Sequence, residues 1–337
     1  MSKTAINSKQ RGGVAPELVL LLLGAFLVRM VLVAMTDGYV YDTNTFSAWA
    51  GLLADGGLKN FYTGGFFADY PPGYMLVLWL VGLATRALGL AALTPAALAV
   101  QCLVPVLCDL AIATVLYHIA LPRFGTRAAL VAAAFAALNP ALIYDVAVWK
   151  QVDSVLTLCL LLLFFALQNK HFFVAAVWYG IALAVKPQAL LYGPVFALAF
   201  LLPLITQPGW RAKCKAVLRV AGAAAVSVGV VLLISLPFTG NQTPFVWLLE
   251  KYFSTTSSYP YASLNAFNFI TALGGNWQPQ ANQFLFLSWQ HWGTVMLVLL
   301  TIAVFALGFF AARKGRLNLP LLAAFYGIGV FLFAHRM

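Results

Sequence analysis

The chain has 337 residues, 63% of them apolar and 9% charged, with a mean hydropathy of +0.90, which excludes a soluble globular domain of this size. Its net charge of +11 does not mark a nucleic-acid binder, because Lys and Arg sit mostly in short turns between apolar runs, where they set membrane orientation. Of the four cysteines, Cys102, Cys108 and Cys159 lie in apolar runs and Cys214 in a basic stretch. With no Cys-x-x-Cys and no Cys/His cluster, neither disulfides nor a zinc site is expected.

A bilayer core about 30 Å thick takes roughly 20 apolar residues per helix, and the chain offers about nine such runs. The expected fold is an all-α polytopic membrane protein, a single module over residues 1–337. Lys3, Lys9 and Arg11 precede the first run, 17–36. That run is long for the apolar part of a signal peptide and no small-x-small site follows, so it reads as a span with a cytoplasmic N-terminus. A polar outer segment, 37–95, comes next and holds Asp37, Asp42, Asp55 and Asp69, four of the nine carboxylates. Within it, Asn44–Leu53 reads as a short amphipathic helix with Thr43 or Asn44 as its cap.

The run Pro72–Leu90 decides the topology. If it spanned, the basic turns at Arg123/Arg127, Lys170, Arg211–Arg219 and Arg313–Arg316 would all fall outside; if it lies in the outer interface, all fall inside. The positive-inside rule therefore favours an interfacial helix, which Tyr74, Trp79 and Arg86 also suit. Further spans are expected at 96–120, 127–144, 154–168, 172–185, 188–205, 217–237, 292–311 and 318–334, with a second large outer segment at 238–290.

On this topology Asp37, Asp42, Asp55, Asp69, Asp145, Asp153 and Glu250 share the outer face, so chemistry is expected there. The candidates are Asp42, Asp69, Tyr70, Gln151, Asp153, Lys186, Gln188, Tyr259, Asn265, Asn268, Asn276, Trp277, His335 and Arg336. Carboxylates, amides and aromatic rings together suit a sugar, by hydrogen bonds to hydroxyls and by stacking. Lys186 falls at the depth of an outer-leaflet phosphate. The absence of a GxxxxGK[ST] loop, a GxGxxG turn and any nucleotide domain points away from a nucleotide sugar and towards a sugar carried on a membrane-anchored polyprenyl phosphate. No cofactor is expected; the acidic segment permits a divalent metal, but no ligand spacing requires one.

Each candidate also has a plain reading. Asp42 could be a solvated loop carboxylate, Asp69-Tyr-Pro-Pro a helix start, Gln151 and Asp153 an interface residue and a cap, and Lys186 a snorkelling helix-end lysine. The outer Trp and Tyr residues serve in part as an aromatic belt, and His118, His171 and His291 fall at helix ends. Asp109, within a span, is costly unless it faces the bundle, and Arg29 in the first span is its natural partner.

Taken together, the pieces resemble the GT-C superfamily of membrane glycosyltransferases, in particular bacterial proteins similar to the GPI-anchor mannosyltransferase PIG-V. They are Asp42 with Phe46 and Trp49-Ala50, Phe61-Tyr62, Asp69-Tyr70-Pro71-Pro72-Gly73-Tyr74, Trp149 with Gln151 and Asp153, Lys186-Pro187-Gln188, Tyr259-Pro260-Tyr261 through Asn265 and Phe267-Asn268, and Gly274-Gly275-Asn276-Trp277. The resemblance implies an outer aspartate as base, interfacial helices in the first outer segment, and a polyprenyl-phosphate sugar donor. Two departures are visible. Members often have glycine where Lys150 stands, which is expected to alter acceptor contacts. Members also continue beyond His335-Arg336-Met337, so the chain reads as C-terminally truncated and its activity as it stands is in question.

The resulting expectation is an inverting transfer of a hexose, mannose first, onto a glycan, lipid or protein acceptor outside the plasma or inner membrane. Asp42 takes the acceptor's proton, while Lys186 and Arg336 stabilise the departing phosphate. A phosphate leaving group needs no acid, unlike the carboxylate pair of a hydrolase. Asp69 is expected to position rather than to act as base; Tyr70, Gln151, Asp153, Gln188, Tyr259, Asn265, Asn268, Trp277 and His335 are expected to bind sugar or acceptor. A flippase of lipid-linked sugars and a non-catalytic assembly subunit are the competing readings. Polar residues gathered outside the spans favour an enzyme over a transporter.

Overall fold

The computed structural model describes residues 15–206, 208–257 and 259–335. Helices dominate: α1 (Pro16–Met35), α2 (Val40–Gly56), α3 (Pro72–Ala87), α4 (Pro95–Ala137), α5 (Pro140–Ile143), α6 (Asp153–Gln168), α7 (Phe172–Val185), α8 (Gly193–Thr206), α9 (Trp210–Ser235), α10 (Pro244–Ser257), α11 (Phe269–Ala272), α12 (Trp289–Arg313) and α13 (Leu319–Phe333). One two-residue antiparallel pair, β1 (Gln283–Phe284) with β2 (Leu287–Ser288), interrupts the helices.

Among the described residues, five helical stretches are long and apolar enough to cross a membrane: Pro16–Met35, Pro95–Ala137, Pro187–Thr206, Trp210–Phe238 and Trp289–Arg313. Their outward side chains are apolar, with Leu20 and Leu218 about 70% exposed, as befits an integral membrane protein whose solvent there is lipid. The 43-residue α4 holds two expected spans, joined at Gly125, whose φ of 78° and ψ of 176° break the helix. Helices α3, α6, α7 and α13 are shorter, 14–16 residues each. At 1.5 Å per residue they reach only about 21–24 Å, short of a full bilayer core.

Three expected boundaries move. The helix in the first polar segment starts at Val40, not at Thr43 or Asn44. Thr43 is no cap: its hydroxyl donates back to the Tyr39 carbonyl at 2.9 Å, inside the first turn. The span expected over 127–144 stops at Ala137, because Pro140 cannot donate to a preceding turn; Asn139 caps the short α5, and a π turn, Tyr144–Trp149, follows. Helix α9 starts at Trp210, so Arg211, Lys213, Cys214, Lys215 and Arg219 are helical rather than in a loop. Long cationic side chains extend a helix past its apolar run by lifting their charges towards water.

The residues fall into two compact units, Met1–Ser47 with Ala84–Leu158, and Ala48–Leu83 with Cys159–Met337. In the first, α1 packs on α4 around a fully buried ion pair: Arg29 Nε donates to Asp109 Oδ2 at 2.9 Å, and Arg29 Nη1 donates to the Ala137 carbonyl at 2.7 Å. Ser154 donates to the other Asp109 oxygen at 2.5 Å. This is the pairing expected from the two in-span charges. In the second, the core is apolar, built from α6, α7, α8, α9, α12 and α13, with Leu163, Ala175, Val195, Leu198 and Val304 at its centre. Small residues let α7 and α9 approach: a Cβ on Gly180 would lie 2.7 Å from the Ser227 carbonyl oxygen, and Ser227 donates to the Ala176 carbonyl at 2.9 Å.

Candidate functional site

In the first unit the site is built on the start of α2. Between α1 and α2 stands Gly38, whose φ of 81° suits glycine and whose missing Cβ leaves room for Thr43 Oγ1, 2.5 Å from where that atom would be. Asp42 thus stands in the first helical turn, where unpaired backbone N–H groups favour a carboxylate. It continues the inward stripe of Phe46, Trp49 and Leu53 and is half-buried.

Two side chains converge on Asp42. Gln151 Nε2 donates to Oδ2, and Trp149 Nε1 approaches the same oxygen at 3.4 Å. Trp149 is held in turn: its carbonyl accepts from Tyr39 N at 3.1 Å, and its ring packs on Tyr39 and Tyr144 at 5.3 and 6.1 Å between centroids. Gln151 N donates to the Asp145 carbonyl at 2.9 Å. Asp153 opens α6 from its first turn.

Between these two donors sits Lys150, at φ 67° and ψ 38°, the left-handed region that favours glycine. Its side chain is 1% exposed, with Nζ donating to Thr36 O and Thr36 Oγ1, both at 2.7 Å. Burial pushes its pKa down; Cys102 and Asp37 oppose this. Its ammonium is spent on the end of α1.

In the second unit a polar cluster forms. Tyr259 donates to Asp69 Oδ2 at 2.8 Å; Tyr62 donates to the Tyr70 carbonyl at 2.8 Å; Trp49 Nε1 donates to the Phe67 carbonyl at 3.0 Å. Lys186, 5% exposed at the break between α7 and the 3-10 turn Pro187–Tyr192, lies 5.3 Å from the Tyr70 ring centroid. Gln188, two residues on, is exposed.

Lys251 belongs to this cluster and escaped the sequence reading. Its ammonium lies 4.6 Å over the Tyr62 ring and donates to the Ala68 carbonyl. Burial lowers its pKa to about 8, against the pull of Asp69. The available signal was that Lys251 is the sole Lys or Arg between Arg219 and Arg313. Nearby, Leu183, Leu190, Val231, Phe245, Leu248 and Tyr252 line an apolar groove of about 360 Å³.

The remaining expected residues split. Trp277 Nε1 donates to Asn265 Oδ1 at 2.9 Å, and the Asn265 backbone N–H donates to Asn276 Oδ1 at 2.8 Å, so these three form one exposed network. Asn268 is buried, and its carbonyl caps α11 by accepting from Thr271 N at 3.0 Å. His335 packs on Gly293, where an added Cβ would fall 2.6 Å from its Nδ1. Arg336 lies outside the described residues. Among the described residues no three His, Cys, Asp or Glu gather where they could hold a metal.

Residues 69–235 match the family model described as dolichyl-phosphate-mannose-protein mannosyltransferase. The match takes in Asp69, Tyr70, Gln151, Asp153, Lys186 and Gln188, and leaves out Asp42 and everything after Ser235. No curated protein matches the chain. The matched stretch, just under half of the chain, is similar to that family, and the long apolar helices mark an integral membrane protein.

Proposed function

We propose that the chain is an inverting glycosyltransferase that moves a hexose, mannose first, from a polyprenyl phosphate to an acceptor hydroxyl on the extracytoplasmic side, through about nine membrane passages. The observation that carries the proposal is the setting of Asp42: a half-buried carboxylate in a first helical turn, oriented by Gln151 and Trp149. A carboxylate so held can take the proton of an attacking hydroxyl. The donor's phosphate, as it leaves, gains charge that Lys186 and Lys251 can stabilise. The apolar groove beside Tyr252 suits an isoprenoid chain. The matched family's description adds mannose as the sugar and protein as the acceptor class, while the resemblance to the PIG-V group adds a lipid-anchored glycan.

The test is transfer of labelled sugar in membranes from a panel of polyprenyl-phosphate hexoses and nucleotide sugars. Transfer from a lipid-linked donor should fall by roughly 10²–10⁴-fold in Asp42→Asn. Transfer that survives in Asp42→Asn but is lost in Asp69→Asn would exchange the two aspartates' roles. A flippase would instead move the intact lipid-linked sugar across vesicles without forming a product.

A further inference from the structure

The second unit carries a hollow unrelated to sugar chemistry. The ends of α6, α8 and α12 and the starts of α7 and α13 form its rim. The hollow measures about 750 Å³ and is lined by Lys170, Arg219, Gln168, Phe172, Pro203 and Leu317, among others. A second hollow of about 490 Å³ shares Thr206 and Ala312 with it and is lined by Arg313 and Ile205.

We propose that this paired hollow binds the headgroup of an anionic phospholipid. The first argument is charge. The unit has three carboxylates, Asp55, Asp69 and Glu250, and none lies in the segments that form the hollow. The cations are held for use rather than left loose: Arg219 lies over the Phe172 ring at 5.4 Å and Arg313 over the Phe309 ring at 5.7 Å. A guanidinium stacked by its face keeps its N–H edge for a phosphate.

The second argument is depth. Trp210 opens α9, four residues after Thr206 in the lining, and is 78% exposed, as an aromatic anchor at headgroup level would be. Ile205, on the wall of the smaller hollow, is 66% exposed and would meet the acyl chains. Cationic recesses between membrane helices suit anionic headgroups, at about fivefold in affinity per Lys or Arg.

The full-length protein in nanodiscs of phosphatidylcholine, with or without phosphatidylglycerol, provides the test. Native mass spectrometry should show wild type retaining phosphatidylglycerol, and R219Q/R313Q retaining roughly 25-fold less. Lys59→Gln, an exposed cation elsewhere in the unit, should retain as much as wild type. Equal melting of R219Q/R313Q and wild type in pure phosphatidylcholine checks that the variant folds; if it does not, Lys170→Gln alone should cost about fivefold. Retention unchanged in the variants, or lost equally in Lys59→Gln, overturns the proposal. Stabilisation in phosphatidylcholine by inorganic phosphate alone would make the ligand free phosphate and overturn it likewise.

Discussion

The two units handle charge differently. The first takes it inside: Arg29, Asp109 and Lys150 are all buried, each tied to named partners. The second has an apolar core, from Leu163 through Val330, and sets its cations against aromatic rings, the buried Lys186 at the end of α7 over Tyr70 and Arg219 within α9 over Phe172. A buried ion pair adds little stability compared with apolar packing, but its fixed geometry can define a single arrangement. The first unit is thus suited to holding a carboxylate in one orientation, and the second to meeting phosphates and lipid.

The contrast breaks most visibly at Asp109. Asp109→Ala leaves Arg29 charged and unpaired in the interior and should cost about 3–5 kcal/mol, read as a loss of thermal stability in detergent. The double replacement R29M/D109L should recover most of that loss, since it removes both charges together. A double variant as unstable as the single one would mean that the pair is needed for more than its own neutrality.

Lys251 sharpens the other half of the comparison. Its pKa in the folded chain, about 8, lies below the ordinary lysine value of 10.5. A lysine lowered in this way opposes folding while protonated, and the penalty is relieved as pH rises from about 8 towards 10.5. Function runs the other way: only the protonated amine holds a phosphate. Apparent affinity for the lipid-linked donor should therefore decline as pH passes about 8, and Lys251→Arg should move that decline to higher pH. A pH profile unchanged in Lys251→Arg would remove Lys251 from donor binding.

Smaller effects test the fine geometry. Lys150→Gly keeps the left-handed backbone and loses only the tie to Thr36, whereas Lys150→Ala loses the tie and keeps the backbone cost. The alanine variant should be the less stable of the two by about 1 kcal/mol, by thermal melting. Tyr259→Phe removes one hydrogen bond to Asp69 and should cost about 0.5–1.5 kcal/mol, read by thermal melting.

Much of the helical order was legible because apolar runs with basic turns leave few alternatives; the limits of α7 and α13 lie within a residue or so of their expected places. Arg29 and Asp109 could be paired on paper because each was a charge with nowhere else to go. Asp42 was legible as a candidate, but its place in a helix was not. That place depends on Gly38 and on Thr43 bonding backwards, and a Thr next to Asn reads equally well as a cap. Lys150 misled for a related reason: a lysine in a polar stretch looks solvent-facing, and only its backbone angle turns the side chain into the protein. Lys251 was overlooked because its burial comes from Tyr62 and Ala68, far away in sequence.

The glycine that divides α4 has a practical consequence for orientation. Residues 122–125 are exposed, with Phe124 71% so, and the backbone is already non-helical at Gly125. A short epitope placed after Gly125 would extend an existing corner instead of splitting a hydrogen-bonded ladder. Protease or antibody access to that epitope, in sealed and in opened vesicles, would then report which side of the membrane the Arg123–Arg127 corner faces. Given the alternation of the expected spans, that one observation fixes the sidedness assigned to every later turn.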